Sequence, residues 1–333
     1  MFIISTYPVA VIFCIITMLC WGSWANTQKI AGKSWRFELF YWDYVIGVVL
    51  FSLLSALTLG SHGEGGRSFI TDLKQADTDN IIKAIIGGII FNAANILLSA
   101  AISIAGMAVA FPVGIGIALV LGVIVNYFTA PQGNIEYIII GIILIMAAII
   151  TNAIAYKKAN RVEKKLSFKG LLISVLAGLL MSLFYRFIAS SMDLSNFQHP
   201  AIGKMTPYTA VFVFSIGILL SNFIFNSVLI YKPFDGAPTN YAAYFKGKFP
   251  VHLTGILGGI IWGIGNSFNL IAAGKAGPAI SYGLGQGATM VAAFWGVFIW
   301  KEFKQKGAGT GGLITAMFVL FIAGLGMLIY SGI

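Results

Sequence analysis

The chain has 333 residues, of which 58% are apolar and only 10% charged, with a formal net charge of +10. Soluble domains hold roughly 45–50% apolar and about 25% charged residues. A water-soluble fold of this composition would expose large apolar patches and aggregate, so the soluble enzyme classes are excluded.

A membrane-spanning helix needs about 20 mainly apolar residues. Ten such segments can be marked in chain order, at 8–30, 38–60, 81–104, 106–128, 135–156, 168–191, 207–231, 251–273, 278–300 and 309–332. The predicted fold is therefore an all-α polytopic membrane protein. Pro8, Pro207 and Pro278 stand in first turns, where the missing N–H costs nothing. The third-to-fourth and eighth-to-ninth connections are short enough to imply helical hairpins.

Fifteen of the 21 Lys and Arg fall in connections 1–2, 5–6, 7–8 and 9–10; five fall on the other side, and Arg186 lies within a helix. This bias places both termini outside and the central basic connection in the cytoplasm of a plasma or inner membrane. The positive charge is thus accounted for by a lipid bilayer, and no nucleic-acid partner is expected. Cys14 and Cys20 share one apolar segment and read as core residues, while His62, His199 and His252 are scattered without ligand spacing. Neither a metal nor a cofactor is expected. The first Lys or Arg is Lys29, after the first apolar run, so no secretory leader is expected.

Sliding the chain by 171 residues aligns 85–118 with 256–289 without a gap, with 12 of 34 positions identical. Gly87-Gly88 meets Gly258-Gly259, Asn95 meets Asn266, and Gly114 and Gly116 meet Gly285 and Gly287. The pair Ile46-Gly47 is echoed by Ile216-Gly217. Residues 1–156 then form a first five-helix repeat, 157–167 a basic cytoplasmic linker, and 168–333 a second five-helix repeat. An odd number of helices per half means that the two halves are inverted. Inverted repeats mark alternating-access transporters, whose site lies near the midplane between halves.

Gly307-Ala308-Gly309-Thr310-Gly311-Gly312 formally contains G-x-G-x-x-G, but a transmembrane helix precedes it where a dinucleotide fingerprint needs a strand, so it reads as a loop. No Walker A, H-E-x-x-H or G-x-S-x-G sequence occurs, and catalysis has no constellation to rest on. The glycines around Pro112 on the fourth helix and along the ninth serve close helix packing, a mobile gate, or both. Polar residues inside a membrane point to function. The candidates for substrate binding are Trp21, Asn92, Asn95, Phe111, Asn266, Asn269, Tyr282 and Gln286; the alternative for each amide is interhelical hydrogen bonding. Gln286 and Asn269 stand where the first repeat has Ile115 and Leu98, so shared packing does not require them. Tyr282, one turn before Gln286, is expected to stack on a planar or pyranose ring, with Trp21 and Phe111 as partners. Glu38 and Asp43 read either as interfacial ion pairs or as proton carriers. Arg186 is a candidate to pair with Asp193 or to attract substrate.

Three stretches carry a resemblance. They are Tyr41-Trp42-Asp43-Tyr44 followed by Leu57-Thr58-Leu59-Gly60; Gly88 to Asn95 running on to Asn126-Tyr127-Phe128; and Gly263-Ile264-Gly265-Asn266 followed by Phe294-Trp295-Gly296 and Glu302. With them the chain resembles the plant and bacterial ureide permease family of the drug/metabolite transporter superfamily. It resembles, more distantly, the glucose/ribose porter and rhamnose symporter families. The resemblance implies a ten-helix secondary transporter for allantoin, uracil and similar nitrogen heterocycles, or for sugars, commonly coupled to protons. Arg186 departs from the family pattern. The expectation is a permease importing a small neutral polar solute, as a monomer or homodimer, with sugar uptake or drug export as the alternatives.

Overall fold

The computed structural model describes residues 1–32, 35–105, 110–160, 167–234, 236–301 and 309–333. Among them are ten helices long and apolar enough to cross a membrane: Tyr7–Ala31, Phe37–Leu57, Thr78–Ile102, Pro112–Thr129, Ile135–Ala159, Phe168–Ser190, Pro207–Tyr231, Phe249–Ala276, Pro278–Ile299 and Thr310–Tyr330. They are called the first to tenth spans below. Among the described residues the only β pairing is an isolated bridge between Met192 and Met205. In lipid every backbone polar group must be satisfied within its own segment, which is why apolar length translates so directly into helix.

Proline opens the first, seventh, eighth and ninth spans within two residues of their N-termini. Ser167 and Thr206 cap the sixth and seventh by accepting from Gly170 N and Thr209 N. The third span begins at Thr78, three residues before the sequence reading, and the fifth helix runs on to Asn160. Two departures concern irregular backbone. The fourth span opens in a π-helical turn, Phe111–Ile115, and the ninth is broken into Pro278–Gly285, Ala288–Phe294 and a π-helical turn Trp295–Ile299. Of the glycine run, Thr310, Gly311 and Gly312 form the first turn of the tenth span, within the segment 309–332 expected from sequence. Gly106, Glu302 and most of the basic linker lie outside the described residues.

The first span packs on the eighth and ninth, as the sixth packs on the third and fourth; the second packs on the eighth, as the seventh packs on the third. The second and seventh, the fourth and ninth, and the fifth and tenth pair with each other. Lipid gives helices no hydrophobic drive to associate, so close backbone contact has to hold them together. The closest crossings use glycines. A Cβ on Gly88 would fall onto Phe214 O and 3.0 Å from Gly217 Cα, and one on Gly259 would fall onto Tyr44 O and 2.9 Å from Gly47 Cα. These are the glycines that the register of 171 residues, and the Ile-Gly echo beside it, set opposite each other.

The two ends of the bundle differ. Lys29, Lys157, Lys158, Lys169, Lys246, Lys248 and Lys301 mark a basic end. At the opposite end the connection after the second span, with its short helix Phe69–Gln75, knits to the connection between the sixth and seventh. Arg67 Nε donates to Asp72 Oδ1 (2.8 Å), and its terminal nitrogens donate to the carbonyls of Pro200, Ala201 and Lys204. Asp72 Oδ2 accepts from Thr206 N (2.7 Å), Gln75 Oε1 from Gly203 N (2.7 Å), and Met1 N donates to Gly65 O (2.5 Å). Asp72 is fully buried. A buried carboxylate with this many donors ties the segments firmly, since breaking such a pair is strongly destabilising.

Candidate functional site

A cavity of about 360 Å³ runs from the basic end to the middle of the bundle. Lys29, Gln28, Tyr156 and Trp300 flank its mouth; Trp21, Phe91, Met181, Phe184, Trp262 and Gln286 form its deep end. Lys29 lies over the Trp300 ring, 4.4 Å from its centroid. Inward of Lys29 the polar lining is amide and hydroxyl: Asn26, Asn95, Ser99, Asn152, Gln286 and Thr289. No carboxylate lines it among the described residues. Such a volume, with aromatic walls and a few convergent polar groups, is the usual form of a small-molecule site.

The break in the ninth span creates one wall. Gln286 caps Pro278–Gly285, its backbone N–H shared between Tyr282 O (3.1 Å) and Gly283 O (3.2 Å). The turn presents the side chain to the cavity, where no hydrogen bond from the described residues engages its amide. Across the cavity, Asn95 Nδ2 donates to Tyr41 Oη at 3.1 Å. Trp21 and Trp262 stack with centroids 6.1 Å apart, and Trp21 Nε1 is buried without a hydrogen-bond partner among the described residues. Trp295 Nε1 donates to Ser23 Oγ (2.8 Å) and Trp300 Nε1 to Asn26 Oδ1 (2.6 Å), fixing the ninth span to the first near the mouth.

Of the residues singled out from the sequence, Trp21, Asn95 and Gln286 meet in this cavity, and Asn92, Asn266, Asn269 and Tyr282 do not. Asn92 holds three spans together: its Oδ1 accepts from Tyr41 Oη (2.9 Å) and its Nδ2 donates to Ser221 Oγ (2.9 Å). Asn269 Nδ2 donates to Ser281 O (2.8 Å), tying the eighth span to the ninth. Tyr282 is fully buried behind Gly122, and its hydroxyl reaches the carbonyls of Ala118 (3.2 Å) and Met181 (3.1 Å). The expected stacking face is therefore covered, because the ring is used to fill the junction of the fourth, sixth and ninth spans. Asn266 is buried beyond Trp262, with neither amide atom partnered among the described residues. The side chain of Phe111 lies outside the described residues.

The expected pairing of Arg186 with Asp193 gives way to another arrangement. Arg186 is exposed, and Asp193 instead accepts from Ser195 Oγ (2.6 Å), Ser195 N (3.2 Å) and Ala201 N (2.9 Å). Burial pushes the Asp193 carboxyl up, but these hydrogen bonds outweigh it and hold the group below the ordinary carboxylate value. Glu38 pairs with Arg36 at 3.1 Å.

Asp43 is buried at the basic end, outside the cavity, in a cluster the sequence reading missed. Its Oδ1 accepts from Tyr244 Oη (2.7 Å) and faces His252 Nδ1 (2.9 Å), while Oδ2 accepts from Trp35 Nε1 (3.0 Å). Burial and the neighbouring carboxylate push the Tyr244 phenol up, so it remains a donor. The cluster joins the second and eighth spans to the connections that lead into them. The only sequence signal was that His252 lies at the basic start of an apolar run.

Comparison with known proteins agrees with this architecture. The ureide permease family profile matches residues 40–169 and 145–331. Ureide permease 1 and ureide permease 2 of Arabidopsis thaliana are each 23% identical, with 99% of both chains covered. The probable glucose uptake protein GlcU of Priestia megaterium is 24% identical over 67% of this chain and 70% of its own. A solved crystal structure aligns over 97% of this chain and 96% of its own with a TM-score of 0.62 at 15% identity, a likeness of fold. The ten spans, the midplane cavity and a family match over most of the length lead to one assignment: the chain belongs to the ureide permease family.

Proposed function

We propose that this protein is a secondary transporter that imports a small neutral polar solute, a ureide or nucleobase-type nitrogen heterocycle. The observation that carries this is the cavity lining: behind Lys29 at the mouth stand amides and hydroxyls between indole and phenyl rings, with no carboxylate among the described residues. Amides offer donors and acceptors side by side, which suits a cyclic urea or amide, and the ring faces suit a planar solute. A site for organic cations would be expected to carry an acid, so drug export is the weaker reading. The relatives named ureide permease point the same way. Sugar uptake is the second reading, favoured by the likeness to GlcU and by stacked indoles that also suit a pyranose.

Transport would proceed by alternating access between two inverted halves, 1–156 and 168–333. The paired glycine crossings and the exchange-symmetric packing of the spans support that division. The basic end would face the cytoplasm with both termini outside, so that the described conformation opens inward. A thiol-labelling reagent that cannot cross membranes should reach Ile333→Cys in intact cells and not Lys157→Cys. Proton coupling is assigned to Asp43, buried beside the imidazole of His252.

The test is a ligand screen on purified protein followed by uptake into proteoliposomes. Radiolabelled allantoin or uracil should be accumulated, and each bound cargo should raise the melting temperature; saturation to about a hundred times Kd corresponds to about 2.7 kcal/mol. Response to glucose alone would establish the sugar reading, and response to tetraphenylphosphonium alone would refute both.

A further inference from the structure

The cavity stops at a pair of rings. Phe91 and Trp262 stand with centroids 4.4 Å apart, and both belong to the deep wall. They occupy equivalent positions in the register of 171 residues, so the two rings meet where the halves face each other. The third span runs towards the basic end: Asn80 bonds Gly203 in the opposite cap, and Ala105 lies against Gly170 beside Lys169. The eighth runs the other way, from Lys248 to a C-terminus where Lys275 O accepts from Gln132 Nε2. One helical turn beyond each ring there is an asparagine. Asn95 therefore lies on the basic side of the ring pair, and Asn266 on the far side.

Their surroundings differ. Asn95 faces the cavity and uses Nδ2 on Tyr41. Asn266 is fully buried, and among the described residues neither its Nδ2 nor its Oδ1 has a hydrogen-bond partner. Beside it, Trp21 Nε1 packs against Gly265 and is also unpartnered. A buried amide with all its hydrogen-bonding capacity unused weakens the fold, and an apolar side chain of the same size would pack better there. We propose that Asn266 is an outer cargo station, unpaired in this conformation because its partner is a solute that arrives in another. When the capped end opens, a cyclic amide or urea group pairs with Asn266; parting of Phe91 and Trp262 then passes it to Asn95 and Gln286. This rests on the transporter reading above.

Asn266→Leu separates the proposal from a packing role. If the amide serves cargo, the variant melts at or above the wild-type temperature, and uptake of radiolabelled allantoin or uracil falls roughly ten- to a hundredfold, the size of a lost buried pairing. Wild-type uptake in Asn266→Leu, or a clear loss of thermal stability, overturns the assignment. A second measurement does not depend on naming the cargo. An impermeant maleimide should label Asn266→Cys from the capped side and Asn95→Cys from the basic side, each read by peptide mass spectrometry. A position 266 that no reagent reaches from the capped side overturns the station. Wild-type vesicles that accumulate neither allantoin nor uracil overturn the cargo reading, while the labelling pattern still decides the station.

Discussion

Truncating Gln286 isolates binding from folding more cleanly than any other change in the cavity. The residue is 8% exposed, its side chain lines the cavity, and no hydrogen bond from the described residues engages its amide. Gln286→Ala therefore strands no buried partner and adds space only to a cavity that already exists. Stability should stay within about 0.5 kcal/mol of wild type, as for changes that touch no packed feature. Binding should lose the pairing that the amide makes with cargo, about 1–3 kcal/mol where the solute's polar group is left unpaired. That is roughly a ten- to hundredfold increase in Kd. Titration of purified protein with the cargo identified by the thermal screen gives Kd, and a melt of the same sample gives stability. Unchanged Kd refutes the placement of cargo at the break in the ninth span. A variant that unfolds refutes the claim that the amide is free.

Three further outcomes follow from the geometry. Tyr282→Phe should cost about 0.5–1.5 kcal/mol in a melt, because the hydroxyl bridges to Ala118 O and Met181 O, and leave Kd unchanged because the ring does not reach the cavity. Asp193 lies below the ordinary carboxylate value in the fold, so the folded state favours its charged form. Its stabilisation is present above about pH 4 and lost as pH falls through the depressed folded value; Asp193→Asn should flatten that acid limb in melts taken across the range. Asp43→Asn should retain exchange of internal for external cargo but lose acceleration by an inward proton gradient. Identical gradient responses in variant and wild type would remove Asp43 from the coupling.

The ten spans were legible because lipid demands one thing of a helix, an apolar length, and composition reports it directly. One residue of the candidate site, Gln286, was legible because the sequence breaks its own repeat there. Gln286 stands against Ile115, and both line the cavity. Asn95 was found as an intramembrane amide, but the same signal also brought in Asn92, which is consumed by Tyr41 and Ser221. A helix apolar all round carries no stripe to show which face looks inward, so an amide that binds neighbours and an amide that binds cargo look alike. Tyr282 failed for a related reason: sharing a helical face with Gln286 does not fix what covers that face. The Asp43 cluster was hidden because His252 and Tyr244 lie 209 and 201 residues away in sequence.

The two ends of the bundle divide their polar groups unequally, and on the alternating-access proposal this inequality gives the conformation its direction. At the capped end, Arg67, Asp72, Gln75 and Thr206 satisfy one another across segments from both halves. At the basic end the corresponding space holds the cavity, where no hydrogen bond from the described residues engages the Gln286 amide. Opening the capped end would strand buried donors around Asp72, a cost that apolar packing alone would not impose. A solute that reaches the midplane gains amide contacts without disturbing that network. On the proposed transport cycle, movement to the other conformation needs free energy from elsewhere, and the amide of Asn266 beyond the Phe91–Trp262 pair, unpaired among the described residues, is placed to supply part of it once cargo engages it from the far side.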